Sequence, residues 1–503
     1  MATATFNKEV AEHPISAELQ KNVDYINNLV GVGTSWDILA KPFHFGGMNM
    51  VSYVANGFFL TMNMVLILED FQKCVKDFVE EHGGATGNFT FDELVSYLNT
   101  HVAFVQVQPV TTMGDIVRFI LSGPMITFID GYDKALMIDT RIYPMRSIAQ
   151  PMVERVIRGN HDGFTETMLM NTALIRRRLR DPRLRVELMQ AGARAQTDIS
   201  LMYLQDVADE KLVDNMRKKL KSIPTDGMMM GEQEVVDVIG KGKWNPYPIV
   251  RYTERPDVAS LALMEGHVVI VVDTTAEVII APTTFFQHLQ HPQEYHSYPL
   301  VGTYLRWVII LAVLTSIFLP GFFIMLNQHP NLIPPNLAFF IANRHVPLPL
   351  WIELLVAEVS LDILRLAVLN TPVALASAVG IVAALLFGQF ATMIHLLQPE
   401  VLVYMGFVMI AQYATSSFEL GSANQMARLW ILIWTGLVGR IGFGIAVLSW
   451  FILLLRTKAF GVPYLWPLIP FKWSSGMRDV LFRLPILDLE GVPAILRRRK
   501  SKG

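Results

Sequence analysis

The chain has 503 residues, 52% of them hydrophobic and only 17% charged, with a formal net charge of −2. Charge this sparse, against roughly 25% in ordinary soluble domains, excludes a disordered chain and argues against one fully soluble globule. The near-zero net charge removes any general electrostatic case for nucleic-acid binding, and the single cysteine, Cys74, excludes an internal disulfide and reads as a buried or incidental thiol.

Met1 to Gln20 carries Glu9, Glu12 and Glu18 and no apolar run, so no signal peptide is expected and the region after it is expected not to be translocated. Val51 to Leu68 is apolar, but Asn56, Asn63 and the following Glu69-Asp70 fit a strand followed by a buried helix better than a span. Phe71 to Glu81 and Phe91 to Leu98 have helical spacing. Met125 to Asp130 and Ala135 to Asp139 flank Gly131-Tyr132-Asp133, a hairpin signal. From about Gly163 to Gln290 a second lobe is expected, with helices at Thr165–Leu179 and Asp209–Ile223. Its strands are Asp198–Leu204, His267–Val272 and Glu277–Ala281, the last two close enough to pair. No strict internal repeat is visible.

Beyond residue 300 the composition changes. No lysine occurs between Lys243 and Lys458. From Val301 to Leu455 the charged residues are Arg306, Arg344, Glu353, Glu358, Asp362, Arg365, Glu400, Glu419, Arg428 and Arg440. A transmembrane helix needs about 20 mostly apolar residues. Leu305–Leu326 (with Pro320 as a kink), Pro372–Leu396, Val401–Ala414 and Leu429–Leu455 are the spans expected. The expected fold is therefore an α+β cytoplasmic N-terminal region in two lobes, 1–155 and 156–300, the second ending in a juxtamembrane linker. An α-helical multi-span membrane domain follows at 301–460, then an interfacial segment and basic tail at 461–503. The basic tail Arg497-Arg498-Arg499-Lys500 puts both termini on the cytoplasmic side. Both ends inside require an even number of crossings. Four spans plus one interior helix, Leu350–Leu369, satisfy this. Counting that helix as a full span gives five and puts the basic tail outside, and splitting Leu429–Leu455 near Gly439-Arg440 would restore parity with two short halves. Tyr464, Trp466 and the prolines around them suit a membrane interface.

The interior helix, Leu350–Leu369, carries Glu353, Glu358, Asp362 and Arg365. Glu358, Asp362 and Arg365 share one face at 100° per residue. Charges inside a bilayer cost roughly 2.5 kcal/mol or more each, so this stripe must face protein or water. It either lines an ion path or holds an internal Asp362–Arg365 pair that ties the bundle. Arg440 either pairs with Glu358 or Asp362 or marks a helix break. Gly380, Gly388, Gly436, Gly439, Gly442 and Gly444 permit close helix approach.

Three separated blocks resemble the A-type subunit of the GerA family of spore germination proteins, and the resemblance extends over almost the whole chain. They are VIRGNHDGFTETMLMNTALIRRRLRDPRLRVE (Val156–Glu187), RYTERPDVASLALMEGHVVIVVDTTAEVIIAPTTFFQHLQ (Arg251–Gln290) and GVPYLWPLIPF (Gly461–Phe471). VGVGTSWDI (Val30–Ile38), SLMYLQDVAD (Ser200–Asp209) and PEVLVYMGFVMIAQYATSSFELGSANQMARL resemble one subgroup of that family. Asn160-His161 and Leu366 depart from the family pattern. The resemblance implies a multi-pass protein of the endospore inner membrane, assembled as a homo-oligomer, a pentamer, that conducts monovalent cations. It also implies a role in promoting or amplifying ion release during germination, with a small membrane protein as partner.

On the channel reading, Glu358, Asp362 and Arg365 are the pore-lining candidates, because repeated carboxylates concentrate cations in a confined path. Val356 and Val359 are candidate apolar gate positions, with packing as the alternative. The basic run Arg176, Arg177, Arg178, Arg180, Arg183 and Arg185 is a candidate for inter-subunit contact or membrane lipid, or a solvated face; no nucleic acid is expected. His288, His291 and His296 fit no established zinc spacing and read as a linker, so no metal or cofactor is expected. Asp162, Glu166 and Asp198 lack an accompanying nucleophile motif, and no enzyme is expected. A non-conducting scaffold for a germination complex is the alternative function. A secondary transporter ranks third, for want of an inverted repeat.

Overall fold

A computed structural model describes residues 8–84, 89–102, 106–141, 151, 154–192, 194–223, 231–240, 244–332, 341, 346–385, 388 and 391–484. The chain divides into two compact units, Met1–Lys241 with Tyr252–Ala281, and Gly242–Arg251 with Pro282–Leu489.

The first unit is α+β and has two lobes. The first lobe runs α1 (Leu19–Val30), β1 (Ile38–Phe45), β2 (Met48–Ala55), α2 (Thr61–Glu81), α3 (Phe91–His101), β3 (Val107–Val110), α4 (Met113–Ser122), β4 (Met125–Ile129) and β5 (Ala135–Ile138). The second runs α5 (Met168–Arg178), β6 (Leu184–Ala191), β7 (Thr197–Leu204), α6 (Glu210–Lys221), α7 (Glu232–Ile239), β8 (Arg251–Thr253), α8 (Pro256–Met264), β9 (Val268–Val272) and β10 (Val278–Ala281). The succession of helices and strands is the same in both. So is the sheet order: β1-β2-β4-β5-β3 in one and β6-β7-β9-β10-β8 in the other. The unit is thus a duplication of topology without a repeat in sequence. Both expected hairpins form, β4 with β5 and β9 with β10, each antiparallel.

Periodicity explains most of these elements. In α2 the buried residues Met64, Phe71, Val75, Phe78 and Val79 recur on one face. The buried helix expected after the Val51 strand forms with one buried face only, since Met62 and Leu66 in its first turns are 72% and 56% exposed. They lie off that buried face. Thr90 starts α3 with a capping box, its side chain accepting from the Glu93 amide while the Glu93 carboxylate accepts from the Thr90 amide.

The lobes meet along a polar seam. Asp37, just before β1, takes two hydrogen bonds from Arg176 at the end of α5, 2.7 and 3.1 Å long, and both side chains are buried. Arg176 also donates to the carbonyls of Leu184 and Asp181. Beside it the Trp36 indole donates to Ser200 at 2.9 Å, and Arg185 donates to the Leu29 carbonyl at 3.2 Å. Gly31, the left-handed cap of α1 at φ 73°, lies against Arg185, where a β-carbon would fall 2.6 Å from the guanidinium. The basic run is therefore not one surface. Arg176 and Arg185 are buried in the seam, Arg178 pairs with Asp162, and Arg183 pairs with Asp181 and Asp206. Arg177 and Arg180 are exposed.

The second unit is helical: α9 (Pro292–Tyr295), α10 (Pro299–Gln328), α11 (Leu350–Leu369), α12 (Val373–Leu385), α13 (Pro399–Tyr413), α14 (Phe418–Val438), α15 (Arg440–Arg456) and α16 (Arg478–Leu481), with a small hairpin of β11 (Lys458–Ala459) and β12 (Val462–Pro463). Among the described residues, α10 is long and apolar enough to cross a membrane by length and composition. The expected boundary near residue 300 falls instead at Pro282. Phe285 and Leu289 pack in one core with Ile309 and Val313 of α10, Leu420 of α14 and Tyr464. Tyr464 and Trp466, expected at an interface, are buried.

The expected span Leu429–Leu455 is two helices. Gly439, at φ 69° and ψ −145°, ends α14 and starts α15, a conformation open to glycine and strained for other residues. Arg440 is thus exposed at the first position of α15 and marks the helix break. Upstream, α14 gains length because the Ser417 hydroxyl caps it, accepting from the Leu420 amide at 3.2 Å.

The seam gives a stability prediction for the first unit. Arg176→Met or Asp37→Ala leaves an uncompensated buried charge, and each is expected to cost about 3–5 kcal/mol. The double variant Arg176→Met/Asp37→Leu is expected to recover most of that loss. Denaturant unfolding of the full chain in detergent, followed at the transition of the first unit, checks both.

Candidate functional site

The site is built on α11, the charged helix. Pro349 precedes it, Glu353 lies in its first turn and Asn370 ends it. Its carboxylates are not left to lipid or to one another. Glu358 is buried and receives Arg428 of α14 in a bidentate pair, one arm from Nε at 3.0 Å. Arg428 has no exposure at all. Its remaining donors reach the Ser316 carbonyl of α10 and Gln412 Oε1 of α13, both at 2.9 Å. The network continues from Gln412 Nε2 to Gln425 Oε1 at 3.3 Å, and from Gln425 Nε2 to Asp362 Oδ2 at 2.6 Å. Glu358, Arg428, Gln412, Gln425 and Asp362 thus form one polar chain through an apolar bundle.

Two further contacts fix the ends of α11. The Glu353 carboxylate, also buried, accepts from the Gln398 amide at 2.8 Å and from Gln398 Nε2 at 3.0 Å, which ties it to the start of α13. Arg365 lies over the Phe418 ring, 4.6 Å from its centroid, and 5.9 Å from that of Tyr413. Asp362 and Arg365 are therefore engaged separately, with Gln425 and with aromatic faces, in place of the i,i+3 pair considered from the sequence. Val356 is half-buried, and Val359 is 48% exposed. Val359, Ile363 and Leu366 share an exposed apolar stripe next to Asp362. Gly436 receives the Trp351 indole of α11, where a β-carbon would fall 2.4 Å from the ring, so α14 approaches α11 closely at this residue.

The sequence pointed to Glu358, Asp362 and Arg365 but not to Arg428, Gln412 or Gln425. Arg428 had one visible signal: it is a lone charge in an apolar helix and needs a buried anion. Spacing along one helix cannot identify a partner seventy residues away.

The other candidates have internal partners. His288 is buried, with Nε2 3.2 Å from the Pro248 carbonyl. His291 caps α9, its Nδ1 accepting from the Gln293 amide, and His296 ends that helix. The α9 residue Glu294 pairs with Arg306 of α10 at 2.7 Å. No cluster of three or more metal-ligating side chains occurs among the described residues. Asp162 pairs with Arg178, Asp198 accepts from Gln190, and the Glu166 carbonyl accepts from the Thr274 amide. They do not converge on one site. Cys74 is half-buried, its thiol 3.6 Å from the His101 carbonyl, and burial raises its pKa.

Burial holds the His288 pKa down to about 3, from an ordinary 6.5. The folded chain keeps this ring neutral while the unfolded chain takes up a proton near pH 6.5. Its contribution to stability is fully present above that value and is lost as pH falls towards 3, at about 1.4 kcal/mol per pH unit. The wild-type protein is expected to lose about 2 kcal/mol between roughly pH 6.5 and 5 that His288→Leu does not lose. Denaturation midpoints of the two proteins across that window check it.

The family model and the sequence relatives agree on a family. The model described as Bacillus/Clostridium GerA spore germination protein matches residues 24–495. The chain is similar to stage V sporulation protein AF of Bacillus subtilis (strain 168), 39% identical over 464 residues that span 92% of each chain. It is also similar to spore germination protein KA of the same organism, 34% identical over 73% of this chain and 68% of that one. Among solved structures, the N-terminal domain of the A subunit of the Bacillus megaterium spore germinant receptor GerK3 matches 54% of this chain and 98% of that chain. The identity there is 26% and the TM-score 0.40.

Proposed function

Because this chain belongs to the GerA family of spore germination proteins, we propose that it is a subunit of an oligomeric cation channel in the spore inner membrane. In this reading it promotes or amplifies ion release during germination, and its role is not enzymatic. The observation that carries the reading is α11, an otherwise apolar helix whose Glu358 carboxylate is paired with a fully buried arginine of α14. A bilayer makes such charges costly unless protein or water receives them.

Several features support a multi-span arrangement. Large apolar side chains are exposed on α10, α11, α13, α14 and α15, among them Leu311, Ile363, Ile410, Leu437 and Leu448. Arginines bracket α15 at Arg440 and Arg456, as expected of residues reaching for opposite interfaces. The break at Gly439 makes two helices from one expected span. With α11 counted as a crossing, the helices α10, α11, α12, α13, α14 and α15 give an even number, which keeps both termini on the spore-core side.

Around a pentamer axis, the exposed stripe of Val359, Ile363 and Leu366 is the face of α11 available to a shared path. Val359 then serves as an apolar gate position and Asp362, at the edge of the stripe, as the carboxylate nearest the ions. Glu358 sets the rotation of the helix through Arg428. Arg365 and Val356 flank this face. A small membrane protein is the proposed partner. The second reading is a non-conducting scaffold of a germination complex; the pairing of Glu358 within a single chain favours it.

Flux of monovalent cations into liposomes holding the purified protein decides between the two. Wild type is expected to conduct, and Asp362→Asn to lower cation-over-anion selectivity severalfold. Glu358→Gln is expected to reduce the number of functional channels while leaving the selectivity of the rest unchanged. Absence of flux with the partner present would leave the scaffold. A monomeric mass in detergent would exclude a shared path.

A further inference from the structure

The second unit also contains a cavity that the network does not use. It has a volume of about 330 Å³ and lies between α14, α15 and the segment before Pro248, with Tyr247, Met426, Ala427, Trp430, Trp450 and Leu453 on its walls. This is the lower end of the range for small-molecule pockets, roughly 300–1,000 Å³. Its polar groups are taken up by one another. The Trp430 indole N–H donates to Ser449 at 2.9 Å, and that of Trp450 to the Tyr247 hydroxyl at 2.5 Å. What remains facing the interior is aromatic and aliphatic, a lining that suits an apolar occupant better than water.

The position of the cavity indicates which apolar occupant. Its mouth carries the exposed Met426 and Trp430, and Leu453 is 37% exposed. These residues continue into the exposed apolar faces of the same two helices, at Ile433, Leu437, Leu448 and Ile452. One end of the slot is charged. Arg456 lies three residues beyond Leu453, on the same side of α15 and about 4.5 Å further along it. Lys458 follows, and both are exposed without an acidic partner among the described residues. Asn245 is hydrogen-bonded to Thr457 at 2.8 Å, which fixes the Pro246–Tyr247 wall at this charged end.

We propose that the slot between α14 and α15 holds one acyl chain of an anionic phospholipid, whose phosphate is bound by Arg456 and Lys458. The apolar cleft accounts for the tail, and the two cations at its end account for the headgroup. The proposal rests on the membrane reading above. It adds a bound lipid whose removal loosens the packing of α14 on α15, and α14 carries Arg428.

The test uses the full chain, stripped of lipid in detergent and reconstituted into vesicles of equal parts phosphatidylglycerol and phosphatidylcholine. After mild re-extraction, retained lipid is counted by native mass spectrometry. Wild type is expected to retain phosphatidylglycerol over phosphatidylcholine by about tenfold. Arg456→Gln/Lys458→Gln is expected to abolish the preference. Ala427→Phe and Ser449→Leu, which fill the slot from opposite walls, are each expected to abolish retention. Excess inorganic phosphate is expected to leave retention unchanged. Equal retention of the two lipids by wild type, full retention in either slot-filling variant that remains folded, or displacement by phosphate would overturn the proposal. Loss of wild-type protein from carbonate-washed vesicles would instead refute the membrane reading, and this proposal with it.

Discussion

The pairing of Arg428 with Glu358 is the constraint on which the helical unit depends. A guanidinium with no exposure has to find an anion and acceptors for its other N–H groups, or the fold loses several kcal/mol. Arg428 meets that demand from three other helices at once: Glu358 of α11, Gln412 of α13 and the Ser316 carbonyl of α10. The rotation of α11 follows, because turning it would withdraw Glu358. Asp362 then falls against Gln425, and Val359, Ile363 and Leu366 are left outward. Which side chains α11 presents outward is thus decided by a pair that is itself buried inside the bundle.

The first unit uses the same device. Arg176 takes Asp37 in a buried bidentate pair and carbonyls with its remaining donors, joining two lobes of identical strand order. In both units a planar, permanently charged fork does what an apolar contact does poorly, fixing one relative orientation by direction as well as by proximity. In sequence the arginines of α5 and β6 form one basic run that resembles a surface. The neighbours in space of Arg176 and Arg185, Asp37 and Leu29, come from the other lobe.

Much of the fold was legible because it follows from periodicity and turn chemistry. The β4–β5 and β9–β10 hairpins, α5 and α6 lie within a few residues of where the apolar pattern places them. The duplication was not legible, since strand order depends on the binary pattern and on connection lengths, which survive when residue identities diverge. The break at Gly439 was visible only as an option, because glycines are common in apolar helices and only backbone geometry shows which one turns the chain. At the site, the face shared by Glu358, Asp362 and Arg365 was readable from 100° steps, whereas their partners were not. Helical spacing reports neighbours on one helix, and every partner here sits on another.

The orientation of α11 depends on the coupling between Arg428 and Glu358, and a double-mutant cycle measures it directly. The variants are Arg428→Met, Glu358→Met and the pair together, with unfolding followed in lipid nanodiscs. The predicted result is that each single change costs about 3–5 kcal/mol and the double change less than their sum by at least about 2 kcal/mol. Single-variant losses that simply add, to within about 0.5 kcal/mol, would contradict it. The orientation of α11 would then have to arise from apolar packing alone.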